Sequence, residues 1–218
     1  SRNKTAALLR VRPNEIIFTS GASEANSMGI KGYALKNRKK GNHIITTSIE
    51  HSSVMNSCAQ LEKDFGFEVT YLPVNADGKV NPDDLAEAIR QDTILVSVMM
   101  VNNESGAIQP IDQIKQIVAR HPGLKLHVDC VQSAGKIPLD LEGIDMASIG
   151  GHKIGGIKGS GVLIKKRNCE IMPIISGGDQ EFGLRGGTEN ALAYALFGDT
   201  LQLAMDHLDE HYEKVSRM

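Results

Sequence analysis

The stretch GGHKIGG, residues 150–156, places His152 and Lys153 side by side within a run of glycines. Glycines let the backbone adopt positive φ and approach another molecule closely, so the run is typical of a tight loop shaped around a ligand. A lysine amine that loses its solvation in such a loop is more readily neutral, and a neutral amine can form an imine. The alternative is a solvated lysine in an ordinary surface loop.

The stretch SGASEAN, residues 20–26, follows the apolar run EIIFT and opens a predicted helix. Small residues at a helix N-terminus expose several backbone N–H groups, which together can bind a phosphate group. Ala22 and Ser23 are the candidate residues for this role. Ser23 could instead be a simple N-cap, which is a common position for serine.

A histidine and two asparagines follow two other predicted strands. His51 comes after HIITT at the entrance of a helix, where it is either a structural residue or a ring that lies flat against a planar ligand. Asn102 and Asn103 come after TILVSVMM, where their amides could form turns or orient a substituent of a ring. Both interpretations stay open for each of these residues.

Asp129 ends the apolar run LKLHVD. A buried carboxylate is costly unless it meets a cation or several donors, and a protonated heterocyclic nitrogen is one such cation. An acid at a strand end, a phosphate-binding helix start, a stacking histidine and a lysine in a glycine loop are the parts of a pyridoxal phosphate site. Together the four features favour that cofactor over separate structural roles.

Seven short apolar runs alternate with amphipathic stretches along the chain. The runs are EIIFTS, HIITT, FEVTYLPV, TILVSVMM, LKLHVD, MASIG and GVLIKK. This spacing predicts βαβ units in a three-layer α/β/α sandwich, with a mainly parallel sheet that ends in a short antiparallel or edge pair. Ligands bind at the carboxyl ends of such strands, where the candidate residues fall. From Thr188 onward the pattern predicts one long helix with a possible break near Gly198.

Composition restricts the class of partner. The chain has 218 residues, enough for one sizeable core, and a net charge of -2, so it lacks the basic excess typical of proteins that bind nucleic acid or anionic membranes. Cys58, Cys130 and Cys169 are odd in number and lack metal-type spacing, which favours a reducing, cytoplasmic location and argues against disulfides or a metal site. We find no apolar run long enough for a membrane span.

Six ordered motifs resemble those of the cysteine desulfurases of the NifS/IscS type, in the class V aminotransferase superfamily of fold-type I enzymes. The motifs are FTSGASEAN, IEHSSV, VNNESGAIQPI, HVDCVQSAGK, GGHKIGGIKGSG and GGDQEFGLRGGTEN. The resemblance extends from Arg10 to Asn190. It implies that residues 1–218 are the pyridoxal 5′-phosphate-binding large domain of a fold-type I transferase.

The resemblance also implies roles for individual residues around the cofactor ring. Lys153 would form the imine, Asp129 would pair with the pyridine nitrogen, and His51 would stack on the ring. Gln132 would bond the ring hydroxyl, and Asn103 would contact the ring or the carboxylate of the substrate. Lys153 and His51 are the catalytic candidates, and no residue is expected to bind a metal.

The phosphate would be held by a second group of residues. The backbone of Ala22 and Ser23, the Ser23 hydroxyl and His152 would bind it within one subunit. Thr188 would reach the phosphate of the partner subunit, which implies a homodimer.

The sequence departs from the family pattern at several positions. Gly150 stands where the family has a serine that contacts the phosphate, Ile157 replaces a proline, and Asp179 replaces a glycine. We also expect the family's opening segment and its C-terminal small domain, with the nucleophilic cysteine loop, to be absent from this chain. The three cysteines do not occupy that loop and are interpreted as core or helix residues.

The activity implied by the resemblance is conversion of L-cysteine to L-alanine with transfer of sulfur to an enzyme cysteine. An iron–sulfur scaffold or a tRNA-thiolation protein would accept the sulfur, and this fragment alone would be inactive. Two alternatives stay open. One is a selenocysteine lyase or another class V enzyme, and the other is a non-catalytic module that binds the cofactor or dimerises.

Overall fold

A seven-stranded mixed sheet forms the centre of the computed structural model, which describes residues 1–217. The strands are β1 (Ile16–Thr19), β2 (His43–Thr47), β3 (Glu68–Leu72), β4 (Thr93–Met99), β5 (Lys125–Asp129), β6 (Met146–Gly150) and β7 (Gly161–Lys165). Their order across the sheet is β1-β7-β6-β5-β4-β2-β3. Neighbouring strands are parallel except at β7, which is antiparallel to both β6 and β1.

All seven predicted strands are present, and the sheet ends in antiparallel strands as predicted, although β1 was not predicted to be one of them. β6 and β7 do form an antiparallel pair, since the short connection between them cannot make a parallel crossover. The pair does not end the sheet, however, because β1 adds to the free side of β7 and becomes the edge strand. Residues from the beginning of the chain therefore lie beside residues 161–165.

Helices cover both faces of the sheet, as a three-layer α/β/α sandwich requires. They are α1 (Arg2–Leu8), α2 (Ala22–Ser27), α3 (Tyr33–Asn37), α4 (Ser52–Phe65), α5 (Pro82–Ala88), α6 (Ile111–Ala119), α7 (Gln180–Gly183), α8 (Ala191–Asp206) and α9 (Leu208–Ser216). One apolar core packs α1, α5, α6 and α8 against the sheet. The other packs α2, α3 and α4 against the opposite face. The predicted fold class is confirmed.

The C-terminal helical region breaks at a different place from the one predicted. Asn190 caps α8 through its side chain, which accepts a bond from the backbone N–H of Ala193 at 3.1 Å. The chain then stays helical to Asp206, and the break falls at His207. Gly198 lies inside α8, where an added Cβ would lie 3.3 Å from the Thr5 hydroxyl of α1. This glycine therefore allows two helices to approach closely and does not end one.

No helix within residues 1–217 is both long and apolar enough to cross a membrane.

A buried histidine links the three central strands just below their carboxyl ends. His127 of β5 is fully buried, with Nδ1 2.9 Å from the Ser97 hydroxyl of β4 and Nε2 3.0 Å from the Ser148 hydroxyl of β6. Burial lowers the pKa of His127 to about 3, so the ring is neutral in the folded protein. It lies two residues before Asp129 and therefore on the same face of the sheet.

We expect His127 to make the protein sensitive to acid. Its unfolded form binds a proton below a pKa of about 6.5, whereas the folded form does so only near pH 3. The free energy of unfolding should thus fall by about 1.4 kcal/mol per pH unit between these values from this residue alone. Urea unfolding at pH 7, 6 and 5 should give a shallower pH slope for His127→Gln. The exposed His121→Gln control should keep the wild-type slope, and equal slopes for all three proteins would contradict the assignment.

Candidate functional site

A cavity of about 530 Å³ opens at the carboxyl ends of the central strands. Its size falls within the range of small-molecule pockets, about 300–1,000 Å³. Eight of the nine candidate residues line it, namely Ala22, Ser23, His51, Asn103, Asp129, Gln132, His152 and Lys153. Thr188 is exposed in the segment between α7 and α8 and does not line this cavity.

One wall of the cavity is the N-terminal end of a helix. The N-cap of α2 is Gly21, so the interpretation of Ser23 as an N-cap was wrong. Ser23 instead lies in the first turn, exposed to the cavity. A π-helical segment, Met28–Gly32, joins α2 to α3, so residues 22–37 form one continuous helix. Its free N–H groups and positive dipole end favour an anion here.

Glu24 connects the start of α2 to Arg185, a residue far away in the sequence. Its carboxylate accepts bonds from the Ser20 backbone N–H at 2.9 Å and from the Ser20 hydroxyl. It also accepts a bond from Arg185 Nε at 2.8 Å. Burial raises the pKa of Glu24, but the bonds from Arg185 and Ser20 outweigh burial and hold it below its ordinary value. The ion pair thus attaches residues that follow α7 to the start of α2.

Lys153 lies on a 3-10 turn, Gly151–Ile154, that follows β6 directly. Glycine is required at two of its positions. A Cβ on Gly151 would lie 2.2 Å from the Ser160 hydroxyl, and Gly155 ends the turn at φ +88°. The lysine is exposed at the cavity and is not buried, so of the two interpretations the structure shows the solvated lysine. The turn projects the side chain into open space because its backbone packs inward.

His152 lies in a strongly cationic part of the site. Partial desolvation and neighbouring positive charge lower the pKa of His152. The charges belong to Lys153, Lys158 and Lys136. A Cβ at Gly150 would lie 3.2 Å from the Ala22 Cβ and 3.6 Å from the His152 ring, so the helix start and the lysine turn meet here. This arrangement is suited to a phosphate group.

Asp129 is buried at the end of β5 and faces the cavity. Its Oδ1 accepts a bond from the backbone N–H of Val131 at 2.9 Å, and its Oδ2 accepts one from Asn26 Nδ2 at 2.7 Å. Burial raises the pKa of Asp129, although these two bonds act in the opposite direction. A cationic donor from a ligand would stabilise the charged carboxylate.

His51 has a structural role and also lines the cavity. It is the N-cap of α4, and its Nδ1 accepts a bond from the backbone N–H of Ser53 at 3.1 Å. The Ser53 hydroxyl lies 2.8 Å from the same nitrogen. The two interpretations of this residue are therefore compatible, because capping uses one edge of the ring and leaves its faces free.

The structure separates the roles of the paired asparagines. Asn102 is buried and forms a turn, with its Oδ1 accepting bonds from the backbone N–H groups of Glu104 and Ser105. Asn103 is exposed and lines the cavity. Only the second asparagine is placed to contact a ligand.

Gln132 has one end of its amide already occupied. Its Oε1 accepts a bond from Lys136 Nζ at 2.6 Å. This contact leaves the Nε2 group as the donor available to a ligand in the cavity.

Three residues of the site were not found from the sequence. Asn26 lies four residues after Ala22, so the helical period could have placed both on one face. Lys158 also lines the cavity, and its place in the glycine-rich stretch was the available signal. The pairing of Arg185 with Glu24 had no local signal, since it joins residues far apart in the chain.

The three cysteines are buried core residues, as interpreted from the sequence. Cys58 and Cys169 pack in the core beneath α2, α3 and α4, and burial raises the pKa of each thiol to about 12. Cys130 packs in the opposite core, away from the face that Asp129 presents, and burial raises its pKa further. None of the three lines the cavity.

Comparison with known proteins gives a consistent result. Residues 1–217 match the family described as Aminotransferase class-V. The chain is 44% identical over 220 residues to cysteine desulfurase IscS of Dictyoglomus turgidum, a match covering 100% of this chain and 55% of that protein. It is 47% identical over 212 residues to cysteine desulfurase IscS of Methanosarcina thermophila, covering 96% and 52%. A solved structure titled NIFS-like protein superposes with a TM-score of 0.93 at 40% identity, covering 96% and 58%.

The seven-stranded α/β/α sandwich, with a cavity at the carboxyl ends of its strands, has the fold of NifS-like proteins. The chain belongs to the aminotransferase class V family, and its curated relatives are cysteine desulfurases. The resemblance drawn from the six motifs is confirmed. The chain spans about half the length of the curated relatives it matches.

We expect the buried thiols to be unreactive in the folded protein, because the thiolate is the reactive form and burial disfavours it. Ellman's reagent at pH 8 should label almost no thiol in the native protein and all 3 in guanidinium chloride. A control with one exposed thiol, Ser105→Cys, should react at once in the native state. Rapid native labelling of Cys130 would contradict its placement in the core.

Proposed function

We propose that residues 1–218 are the pyridoxal 5′-phosphate-binding large domain of a cysteine desulfurase. The observation that carries this proposal is the buried Asp129 carboxylate, which faces the same cavity as Lys153. A buried acid of this kind is suited to a protonated ring nitrogen, and an amine beside it is suited to an aldehyde. Relatives named cysteine desulfurase support the assignment of the reaction.

The residues present fit this cofactor at both of its polar ends. Asn26, which holds Asp129, lies one helical turn along α2 from Ala22 at the helix start. The acid and the anion-binding region are thus separated by about 6 Å along the helix axis. A pyridine ring with a phosphate arm needs a cationic region and an acid at such a separation. Lys153 lies on the turn after β6 and lines the same cavity, so it would be the amine that meets the cofactor's aldehyde.

Each side chain then has a defined task. When bound, the cofactor supplies an electron sink that weakens the Cα–H bond of the substrate. Asp129 would hold the proton on the ring nitrogen, and Lys153 Nζ would be the amine that attaches the cofactor and the group that moves the α-proton. Gln132 would donate from Nε2 to the ring oxygen, and a face of His51 would stack on the ring. Asn103 would contact the ring or the carboxylate of the substrate.

The phosphate would be held by backbone N–H groups at Ala22 and Ser23, by the Ser23 hydroxyl and by His152. The positive charge of Lys158 and Lys136 near His152 would add to the attraction. In a homodimer, the exposed Thr188 of one subunit would contact the phosphate held by the other. The exposure of Thr188, outside its own cavity, supports this assignment.

The proposed reaction converts L-cysteine to L-alanine and leaves a persulfide on an enzyme cysteine. Cys58, Cys130 and Cys169 are buried and do not line the cavity, so none of the three is proposed as the sulfur-accepting thiol. An iron–sulfur scaffold or a tRNA-thiolation protein is the proposed final acceptor. Three unpaired thiols suit a reducing compartment, which we propose to be the cytoplasm.

A second candidate function is a module that binds the cofactor without catalysis. Gly150 favours it, because this position lacks the serine hydroxyl that the family uses to hold the phosphate. The two functions share the cofactor and differ in α-proton chemistry, so the last of the three predictions below, which measures that chemistry, distinguishes them.

We expect borohydride reduction in the presence of pyridoxal phosphate to fix the cofactor on Lys153. Peptide mass spectrometry should locate the adduct there, and Lys153→Ala should remove it while leaving the circular dichroism spectrum unchanged, since glycines shape the turn. Lys158→Ala, which alters another lysine of the same cavity, is the matched control and should keep the adduct. An adduct mainly on Lys136 or Lys158 would overturn the proposal.

We expect Gly150→Ser to bind pyridoxal phosphate about tenfold more tightly than Gly150→Ala, because a hydroxyl bonded to a phosphate contributes about 1.5 kcal/mol. Both variants add a Cβ that lies 3.2 Å from the Ala22 Cβ, so their comparison isolates the hydroxyl from its steric cost. Titration followed by absorbance measures the two dissociation constants. Equal dissociation constants for the two variants would show that position 150 does not contact the phosphate.

With the family's C-terminal small domain supplied in the same chain or in trans, we expect Asp129→Asn to retain the borohydride adduct but to slow α-proton exchange of L-cysteine in D₂O by about 100-fold or more. An amide cannot hold the ring-nitrogen proton as a carboxylate does. Proton NMR of the amino acid measures the exchange rate after subtraction of the rate with free cofactor. Exchange at the wild-type rate would make Asp129 merely structural, and no exchange above background in the wild type would favour the non-catalytic module.

A further inference from the structure

Four side chains from three elements form one continuous hydrogen-bonded chain at the cavity. Asn26 Nδ2 of α2 lies 2.7 Å from Asp129 Oδ2 of β5 and 2.9 Å from the Ser53 hydroxyl of α4. The Ser53 hydroxyl lies 2.8 Å from Nδ1 of His51. These hydrogen bonds thus connect the carboxylate of Asp129 to the imidazole ring of His51.

The chemistry of the groups fixes the direction of every bond. An ionised carboxylate only accepts, so the Asn26 amide must present its NH₂ group and not its oxygen to Asp129. The second hydrogen of that NH₂ group is then directed at Ser53. Because the Ser53 oxygen accepts there, its own hydrogen is free to donate to His51.

The imidazole receives two donors at the same nitrogen. His51 Nδ1 accepts from the Ser53 hydroxyl and also from the Ser53 backbone N–H. A ring nitrogen that accepts cannot carry a proton, so the neutral ring carries its proton on Nε2. The backbone bond alone favours this tautomer, and the hydroxyl bond strengthens the preference.

We propose that Asn26 is a positioning residue that, through Ser53, sets His51 in the tautomer with its proton on Nε2 while it holds the Asp129 carboxylate in place. The significance of this inference rests on the proposed function. If His51 stacks on the cofactor, its Nε2–H is a hydrogen-bond donor, and not an acceptor, toward bound groups.

The unsatisfied oxygen of Asn26 argues against a purely structural role. Asn26 is fully buried, and its Oδ1 has no hydrogen-bond partner among the described residues. A buried amide oxygen without a partner destabilises a fold. The two donors of the same amide are both used, at Asp129 and at Ser53, so the residue supplies these donors at a cost to stability.

The test is ¹⁵N NMR of the histidine rings in the chain without cofactor, at alkaline pH where imidazole is neutral. The His51 signals are assigned by their loss in His51→Gln. In the wild type we expect the shifts of a protonated Nε2 and an accepting Nδ1. In Asn26→Ala and in Ser53→Ala, the ratio of the Nε2–H to the Nδ1–H tautomer should fall about fivefold, because the hydroxyl bond is misdirected or lost.

Two controls separate positioning from general disturbance. Ser53→Thr keeps a hydroxyl at the same place and should retain the wild-type ratio. Ser57→Ala removes a hydroxyl one turn later on α4. That hydroxyl donates to the Ser53 carbonyl and does not bond Asn26, the Ser53 hydroxyl or His51, so the tautomer ratio should also stay unchanged. If Asn26→Ala does not fold, the half-buried Ser53→Ala still provides the readout.

A wild-type ring with its proton mainly on Nδ1, or an unchanged ratio in both Asn26→Ala and Ser53→Ala, would overturn the inference. The experiment needs no cofactor, so it is independent of borohydride trapping at Lys153. A chain that fails to trap the cofactor but shows the expected ratios would remove the proposed function and leave the positioning role of Asn26 intact.

Discussion

The burial of one carboxylate at the end of β5 is the constraint on which the site depends. Asp129 lies in the middle of the sheet, in register with Met99 of β4 and Ser148 of β6, where water is excluded. A charge in such a place is unfavourable unless donors surround it. The structure provides one backbone donor and one amide, and the open side of the carboxylate faces the cavity. A ligand bound in the cavity can therefore supply the hydrogen-bond donor that the carboxylate of Asp129 still lacks.

The long helix formed by α2, the π segment and α3 links this acid to the rest of the cavity. Its first turn offers free N–H groups, and its second turn carries Asn26 to the carboxylate. The π segment widens the helix just beyond these residues, a form that is frequent at functional sites. The ion pair between Arg185 and Glu24 holds the first turn from outside. One element therefore sets the separation between the anion-binding region and the acid.

Local patterns predicted the strands well, and they predicted which residues meet at the strand ends. Apolar runs with turn residues at both ends identified all seven strands. Most of these strands are buried along their length, which leaves an uninterrupted apolar signal, and only the edge strand β3 is largely half-exposed. The placement of β7 beside β1 could not be read in this way, since it depends on pairing between distant segments. The same limit hid the contact of Arg185 with Glu24. The exposure of Lys153 could not be decided from the sequence, because glycines indicate a tight turn without giving its direction.

The position of β1 in the sheet has a consequence for the order in which the protein forms. Within residues 1–217, β7 is the only strand that pairs with β1, and it comes more than a hundred residues later in the chain. Strands β2 to β5 can pair with one another while the chain is still being synthesised, and the acid-bearing end of β5 can be enclosed early. The start of α2 packs against both β6 and β7, so its support in the sheet is complete only when residues 161–165 have emerged. The anion-binding half of the cavity is therefore completed last, by a contact of high sequence separation that is intrinsically slow to form.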